Sequence, residues 1–122
     1  MHTQIVGKNG EDAAVAYLES QGFSIVERNY WKKWGELDIV AEKAKKLYFV
    51  EVKAVSHETE GFSPEDRVHA EKLKRMGRAI ETYLLERNVP HETDFQVDVL
   101  CVYLSPDAKK TQFDHIEDVY LD

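Results

Sequence analysis

The sequence predicts an α/β sandwich with helices flanking a central mixed sheet. Three observations carry that expectation. The chain opens on a helical apolar period, three period-two segments follow in succession, and a further apolar strand comes after a second helix. At 122 residues the chain fits one domain, spanning 1–122.

The first segment, up to about Gln21, reads as a helix. Glu11, Ala14, Val15 and Leu18 share one face at i, i+3, i+4, i+7 spacing, and Gly22 supplies the stop. Strands are expected over Ser24–Tyr30, Glu36–Glu42 and Leu47–Ala54. In the third, Leu47, Phe49, Glu51 and Lys53 alternate with Tyr48, Val50 and Val52. The turn Ala44-Lys45-Lys46 makes the last two a hairpin. Residues 55–63 read as a loop. A helix then starts at the N-cap Ser63, with Pro64 at its first position and Glu65 and Asp66 in its first turn. It runs to about Arg87, with Val68, Leu73, Met76, Ala79, Ile80, Tyr83 and Leu84 as its apolar arc. Phe95–Leu104, almost wholly apolar, reads as a strand covered on both faces. A last strand or short helix is expected near Phe113–Tyr120.

Composition narrows the function classes. The chain is 43% hydrophobic, which is enough for a core, and no apolar run reaches the roughly 20 residues of a membrane span. The start of the chain, Met1-His2-Thr3-Gln4, lacks a charged-then-apolar leader, so a cytoplasmic location is expected. The one cysteine, Cys101, reads as buried and inert, and the five histidines show no zinc-ligand spacing. His69, one turn before Lys72, reads as a helix residue rather than a base. Sixteen basic against 23 acidic side chains give a net charge of −7, which argues against a phosphate-rich partner. The charge is unevenly spread, however. Residues 28–53 hold seven basic and four acidic side chains, and residues 67–78 hold five and one.

Polar side chains stand where the pattern demands apolar ones, most of them within those two positive blocks. Glu11 lies on the apolar stripe of the first helix, and Asp38 interrupts Leu37-Asp38-Ile39-Val40-Ala41. Glu51 and Lys53 share a sheet face with Leu47 and Phe49, and Lys72 falls within the apolar arc of the second helix. Buried charges persist only when paired or bound. Asp38 and Glu51 on neighbouring strands offer hard oxygen donors suited to Mg²⁺ or Mn²⁺, and Lys53 lies about 7 Å along the strand. Such an ammonium can orient an attacking water and stabilise charge at a phosphate. The pattern is that of a metal-dependent phosphodiester hydrolase. An acid-x-base triplet is also compatible with an exposed salt-bridged pair.

Gly10-Glu11, Gly22, Arg28-Asn29, Gly35-Glu36-Leu37-Asp38, Phe49-Val50-Glu51-Val52-Lys53 and Asp98 occur in an order that resembles the YraN-like family of bacterial proteins. That family is expected to be endonucleases of the restriction-endonuclease-like fold, more distantly similar to archaeal Holliday-junction resolvases. The resemblance spans about Gly7 to Tyr103 and implies a three-layer sandwich. It implies that Asp38, Glu51 and Lys53 are the catalytic PD-(D/E)xK triad. Asp38, Glu51 and the Val52 carbonyl are then metal donors, Glu11 adds a direct or water-mediated ligand, and Lys72 is the second-helix lysine. Two family basic positions are replaced, by Val55 and Gln96. The resemblance further implies DNA as substrate, branched or flapped structures among the candidates, and a homodimer. A non-catalytic nucleic-acid-binding or scaffold protein on the same fold is the alternative.

Arg28, Lys32 and Lys33 from the first positive block, with Lys72 and Arg75 from the second, are the candidate nucleic-acid contacts. The run Tyr30-Trp31-Lys32-Lys33-Trp34 interleaves aromatic and basic residues, as a base-stacking hairpin tip would. At least one of its tryptophans is expected to cap the core instead. Asp98 is expected to be a structural acid near Lys72 or Arg28.

Overall fold

The computed structural model describes residues 2–56 and 70–119. Helix α1 (His2–Ser20) leads into strands β1 (Ser24–Lys32), β2 (Gly35–Lys43) and β3 (Lys46–Ser56). Helix α2 (Ala70–Glu86), β4 (Phe95–Leu104), a short 3₁₀ turn (Ala108–Lys110) and β5 (Gln112–Ile116) follow. The expected N-cap Ser63, with Pro64, Glu65, Asp66, Val68 and His69, lies outside the described residues.

The five strands form one sheet in the order β1-β2-β3-β4-β5, with every neighbour antiparallel except β3 and β4. Parallel β3 and β4 require a crossover, and α2 lies between them in sequence. The sheet is therefore mixed and the architecture is a three-layer α/β sandwich, as predicted. One apolar cluster joins Met76, Ala79, Ile80 and Tyr83 of α2 to Tyr30, Leu37, Val40, Phe49 and Val97 of the sheet. The other joins Ala14 and Leu18 of α1 to Ile39, Ala41, Val50, Leu100 and Val102. Val97–Val102 is buried throughout, as expected for a strand covered on both faces.

Three local features fix the frame. Gly22, at φ 94°, ends α1, and the Phe23 N–H donates to the Leu18 carbonyl at 3.0 Å across the helix end. Gly10 lets α1 lie directly on β3: a Cβ there would sit 2.3 Å from the Ala54 Cβ. The β2–β3 turn is the two residues Ala44-Lys45, with Lys43 paired to Lys46 and both turn residues left-handed at φ 53° and 65°. That is a primed hairpin turn formed without its customary glycine or asparagine.

A carboxylate pair flanked by two lysines

Strand β3 explains how charge comes to lie inside the molecule. Its alternate residues Leu47 and Phe49 pack into the α2-side core, and Glu51 continues the same face. Glu51 is fully buried. The β2–β3 ladder runs as far as Ile39 opposite Val50. Asp38, one residue before Ile39, uses its side chain instead: Oδ2 accepts from the Val52 N–H at 2.9 Å. This bond orients the Asp38 carboxylate beside Glu51. Burial raises the Asp38 pKa from 3.8 to about 8, and the negative charge of Glu51 adds to it.

Glu51 has an unusual environment. Neither of its carboxylate oxygens is met by a donor in good hydrogen-bond geometry among the described residues. Two ammonium groups nonetheless make ionic contact with Oε2: Lys53 Nζ at 3.4 Å, and Lys72 Nζ of α2 in closer contact. The lysines respond in opposite directions. Burial lowers the Lys53 pKa, and the adjacent Lys72 reinforces it. Burial also acts against charge on Lys72, but the attraction of Glu51 outweighs it and the pKa rises. Lys72 thus keeps its proton, whereas Lys53 is the more readily neutralised amine.

The structure therefore brings Asp38, Glu51, Lys53 and Lys72 together. It does not bring Glu11. The Glu11 carboxylate is held by Arg28 Nε at 3.1 Å and Asn29 Nδ2 at 3.0 Å, and Arg28 also bonds Asp12 at 2.7 Å. Among the described residues no three His, Cys, Asp or Glu side chains converge. Glu11, expected to add a direct or water-mediated metal ligand, is thus engaged by Arg28 and Asn29 in this structure. Asn29 accounts for the difference. It is left-handed at φ 55°, between the pairs Arg28–Ile39 and Tyr30–Leu37, so its side chain reaches α1. An asparagine inside a strand pattern is the sequence signal for such a residue. Val52 enters through its amide, by the bond to Asp38.

The candidate nucleic-acid contacts divide. Arg28 is taken up by Glu11 and Asp12, and Lys32 by Glu86 at 2.8 Å. Lys33 and Arg75 are exposed. A groove of about 310 Å³ beside Lys72 is lined by Trp31, Lys33, Trp34, Glu36 and Arg75, among others. Trp34 lies against α2: its indole N–H donates to Thr82 Oγ1 at 3.2 Å, and the Arg78 guanidinium lies 5.8 Å from its ring centre. Trp31 is 66% exposed. Asp98 lies near neither Lys72 nor Arg28, contrary to expectation. It is fully buried, accepting from Gln96 Nε2 at 2.8 Å and the Asp118 N–H at 2.9 Å, with His115 Nε2 at 2.7 Å. Gln96, in a position the resemblance expects to be basic, thus buttresses this buried acid.

The model of the uncharacterised protein family UPF0102 matches residues 10–102, which takes in α1 from Gly10, all of β1–β3, α2 and most of β4. The chain belongs to that family. A UPF0102 protein of Campylobacter jejuni is 39% identical over 93 residues, covering 76% of this chain and 79% of its own. One from Campylobacter lari is 39% identical over 100 residues, covering 81% and 84%. A Dictyoglomus turgidum member is 32% identical over 120 residues, covering 98% of this chain and all of its own. The family resemblance read from the sequence motifs is thus borne out. Among the described residues of this UPF0102 chain, no helix is long and apolar enough to cross a membrane.

Proposed function

We propose that this UPF0102 protein is a metal-dependent endonuclease that hydrolyses phosphodiester bonds in DNA. The observation that carries the proposal is Glu51: a fully buried carboxylate without good hydrogen bonds, beside a second carboxyl whose pKa it helps to raise. Lys53 and Lys72 offset its charge at Oε2 but leave Oε1 without a hydrogen bond among the described residues, a lone pair open to a cation. Two hard oxygen donors side by side fit Mg²⁺ or Mn²⁺. Asp38, Glu51 and the Val52 carbonyl are the groups that would hold the ion, which when bound polarises a phosphoryl oxygen and acidifies water.

The chain's own residues supply the rest. The Val52 N–H fixes the rotamer of Asp38. Lys53, whose Nζ lies 3.4 Å from Glu51 Oε2, orients the attacking water beside the carboxylate pair. Lys72 stays cationic at the edge of the basic groove and holds a phosphate oxygen against the charge that develops on it. Lys33 and Arg75 extend the phosphate contact outward.

The test is a nicking assay on linear, flapped and four-way DNA with Mg²⁺ or Mn²⁺. Wild type is expected to cleave, and Asp38→Ala, Glu51→Gln and Lys53→Ala to lose at least about a hundredfold in rate. Equal cleavage by all three variants overturns the site. Metal-dependent DNA binding without cleavage supports the non-catalytic scaffold instead.

A further inference from the structure

The groove beside Lys72 combines two features that serve different parts of a nucleic acid. Lys33 and Arg75 are exposed cations, suited to phosphates. Trp31 is a large aromatic side chain left 66% exposed on a paired strand, where it is held opposite Glu36. An isolated exposed tryptophan gains nothing for the fold. Its setting is nonetheless rigid. Trp34 is bonded to Thr82, and Gly35 approaches α2 so closely that a Cβ would lie 2.5 Å from the Arg75 carbonyl oxygen. The hairpin tip is thus clamped on the helix and presents Trp31 at a fixed height. The groove, at about 310 Å³, lies at the small end of the range for ligand sites. From Glu36 it is two residues, roughly 7 Å, along β2 to Asp38.

We propose that this groove takes an unpaired nucleobase stacked on Trp31, with its flanking phosphates on Lys33 and Arg75. The molecule then recognises single-stranded or base-extruded nucleic acid beside the carboxylate pair, in preference to uninterrupted duplex. In a duplex every base face is already stacked, so an aromatic platform has nothing to receive. The proposal rests on the nuclease reading only for what happens to the bound strand; the binding itself stands apart from it.

The experiment measures equilibrium binding by anisotropy in EDTA, so that cleavage plays no part. Short labelled oligothymidylate, oligouridylate and a blunt duplex are compared, together with an oligothymidylate carrying abasic positions. The proteins are full-length wild type, Trp31→Ala and Trp31→Phe. Wild type is expected to prefer a single strand, DNA or RNA according to which sugar the groove admits. Trp31→Ala is expected to weaken that binding roughly 5- to 100-fold and Trp31→Phe to retain most of it. Abasic positions are expected to erase the difference between wild type and Trp31→Ala. Equal single-strand affinity for wild type and Trp31→Ala overturns the proposal, as does an equal loss on the duplex or the abasic strand. Base-dependent binding in a protein that never cleaves with Mg²⁺ leaves this proposal standing and removes the nuclease reading.

Discussion

Replacing Asp38 with asparagine tests the electrostatics of the site without any assay of activity. The wild-type carboxyl titrates at about 8 in the folded protein against 3.8 in a free side chain. Below about pH 4 it is protonated in both states and the shift has no effect on stability. As the pH rises from 3.8 towards 8, the unfolded chain loses the proton while the folded one retains it, and stability falls by 1.36 kcal/mol per pH unit. Near pH 7 the interval is roughly three pH units, which puts the destabilisation at about 4 kcal/mol. Asparagine has no proton to lose and keeps an oxygen that accepts from the Val52 N–H. Asp38→Asn is therefore expected to be more stable than wild type by about 2–4 kcal/mol near neutral pH, the lysines absorbing part of the full value. The advantage should shrink towards zero below about pH 4. Urea unfolding in EDTA across that range measures both proteins. A difference that does not vary with pH, or a variant less stable at every pH, refutes the reasoning. Adding Mg²⁺ should then stabilise wild type and leave Asp38→Asn unmoved.

Other parts of the fold give equally definite expectations. Gly10→Ala places a methyl group 2.3 Å from Ala54 Cβ and should lower stability by roughly 1–3 kcal/mol, with Ala54→Gly in the same chain recovering most of it in thermal unfolding. Lys45→Gly relieves a left-handed residue in the β2–β3 turn and should raise stability by about 0.5–1 kcal/mol in the same measurement. At the buried Asp98–His115 pair, hydrogen bonding to Asp98 raises the His115 pKa above 6.5. Burial acts against the Asp98 charge, but His115 and the other donors outweigh it and hold Asp98 below 3.8. The histidine contribution is present below about pH 6.5 and fades as pH rises through its raised value. The aspartate contribution is present above about pH 4 and fades as pH falls through its lowered value. His115→Gln should therefore flatten the alkaline limb of the stability profile, and an NMR titration of His115 should place its midpoint above 6.5.

How much of this was legible in the sequence depended on whether the signal was local. Strand β4 matches the predicted Phe95–Leu104 at both ends, because apolar residues on both faces leave no ambiguity of period. Asp38, Glu51, Lys53 and Lys72 stood out as charges at interior positions, and the fold brings these four together. Partners far apart in sequence were another matter. Lys32 and Arg28 read as free phosphate contacts, yet Glu86 and Asp12 hold them across 54 and 16 residues. Asp98 was read as a structural acid, but its neighbour His115 comes from β5, and only the β4–β5 register decides that contact. Glu11 turned inward on the helical wheel as predicted. Its carboxylate stops at Asn29 because one left-handed residue breaks the strand pattern there. The turn Ala44-Lys45 gave no warning of its primed geometry, having neither of the residues that normally announce it.

That turn has a bearing on the site that its distance conceals. Side chains on a strand alternate faces, so the pairing of Lys43 with Lys46 decides which side of the sheet every later residue of β3 addresses. In the observed register Glu51 and Lys53 face α2, and Val50 and Val52 face α1. A slip by one residue would push both charges into the apolar layer beneath α1 and put two valines where the carboxylate pair forms. Two charges without partners in that layer would be costly, so the slipped register forfeits stability as well as the site. The Ala44-Lys45 turn therefore acts as a phasing element, and a single inserted or deleted residue there should lower stability and abolish the site together.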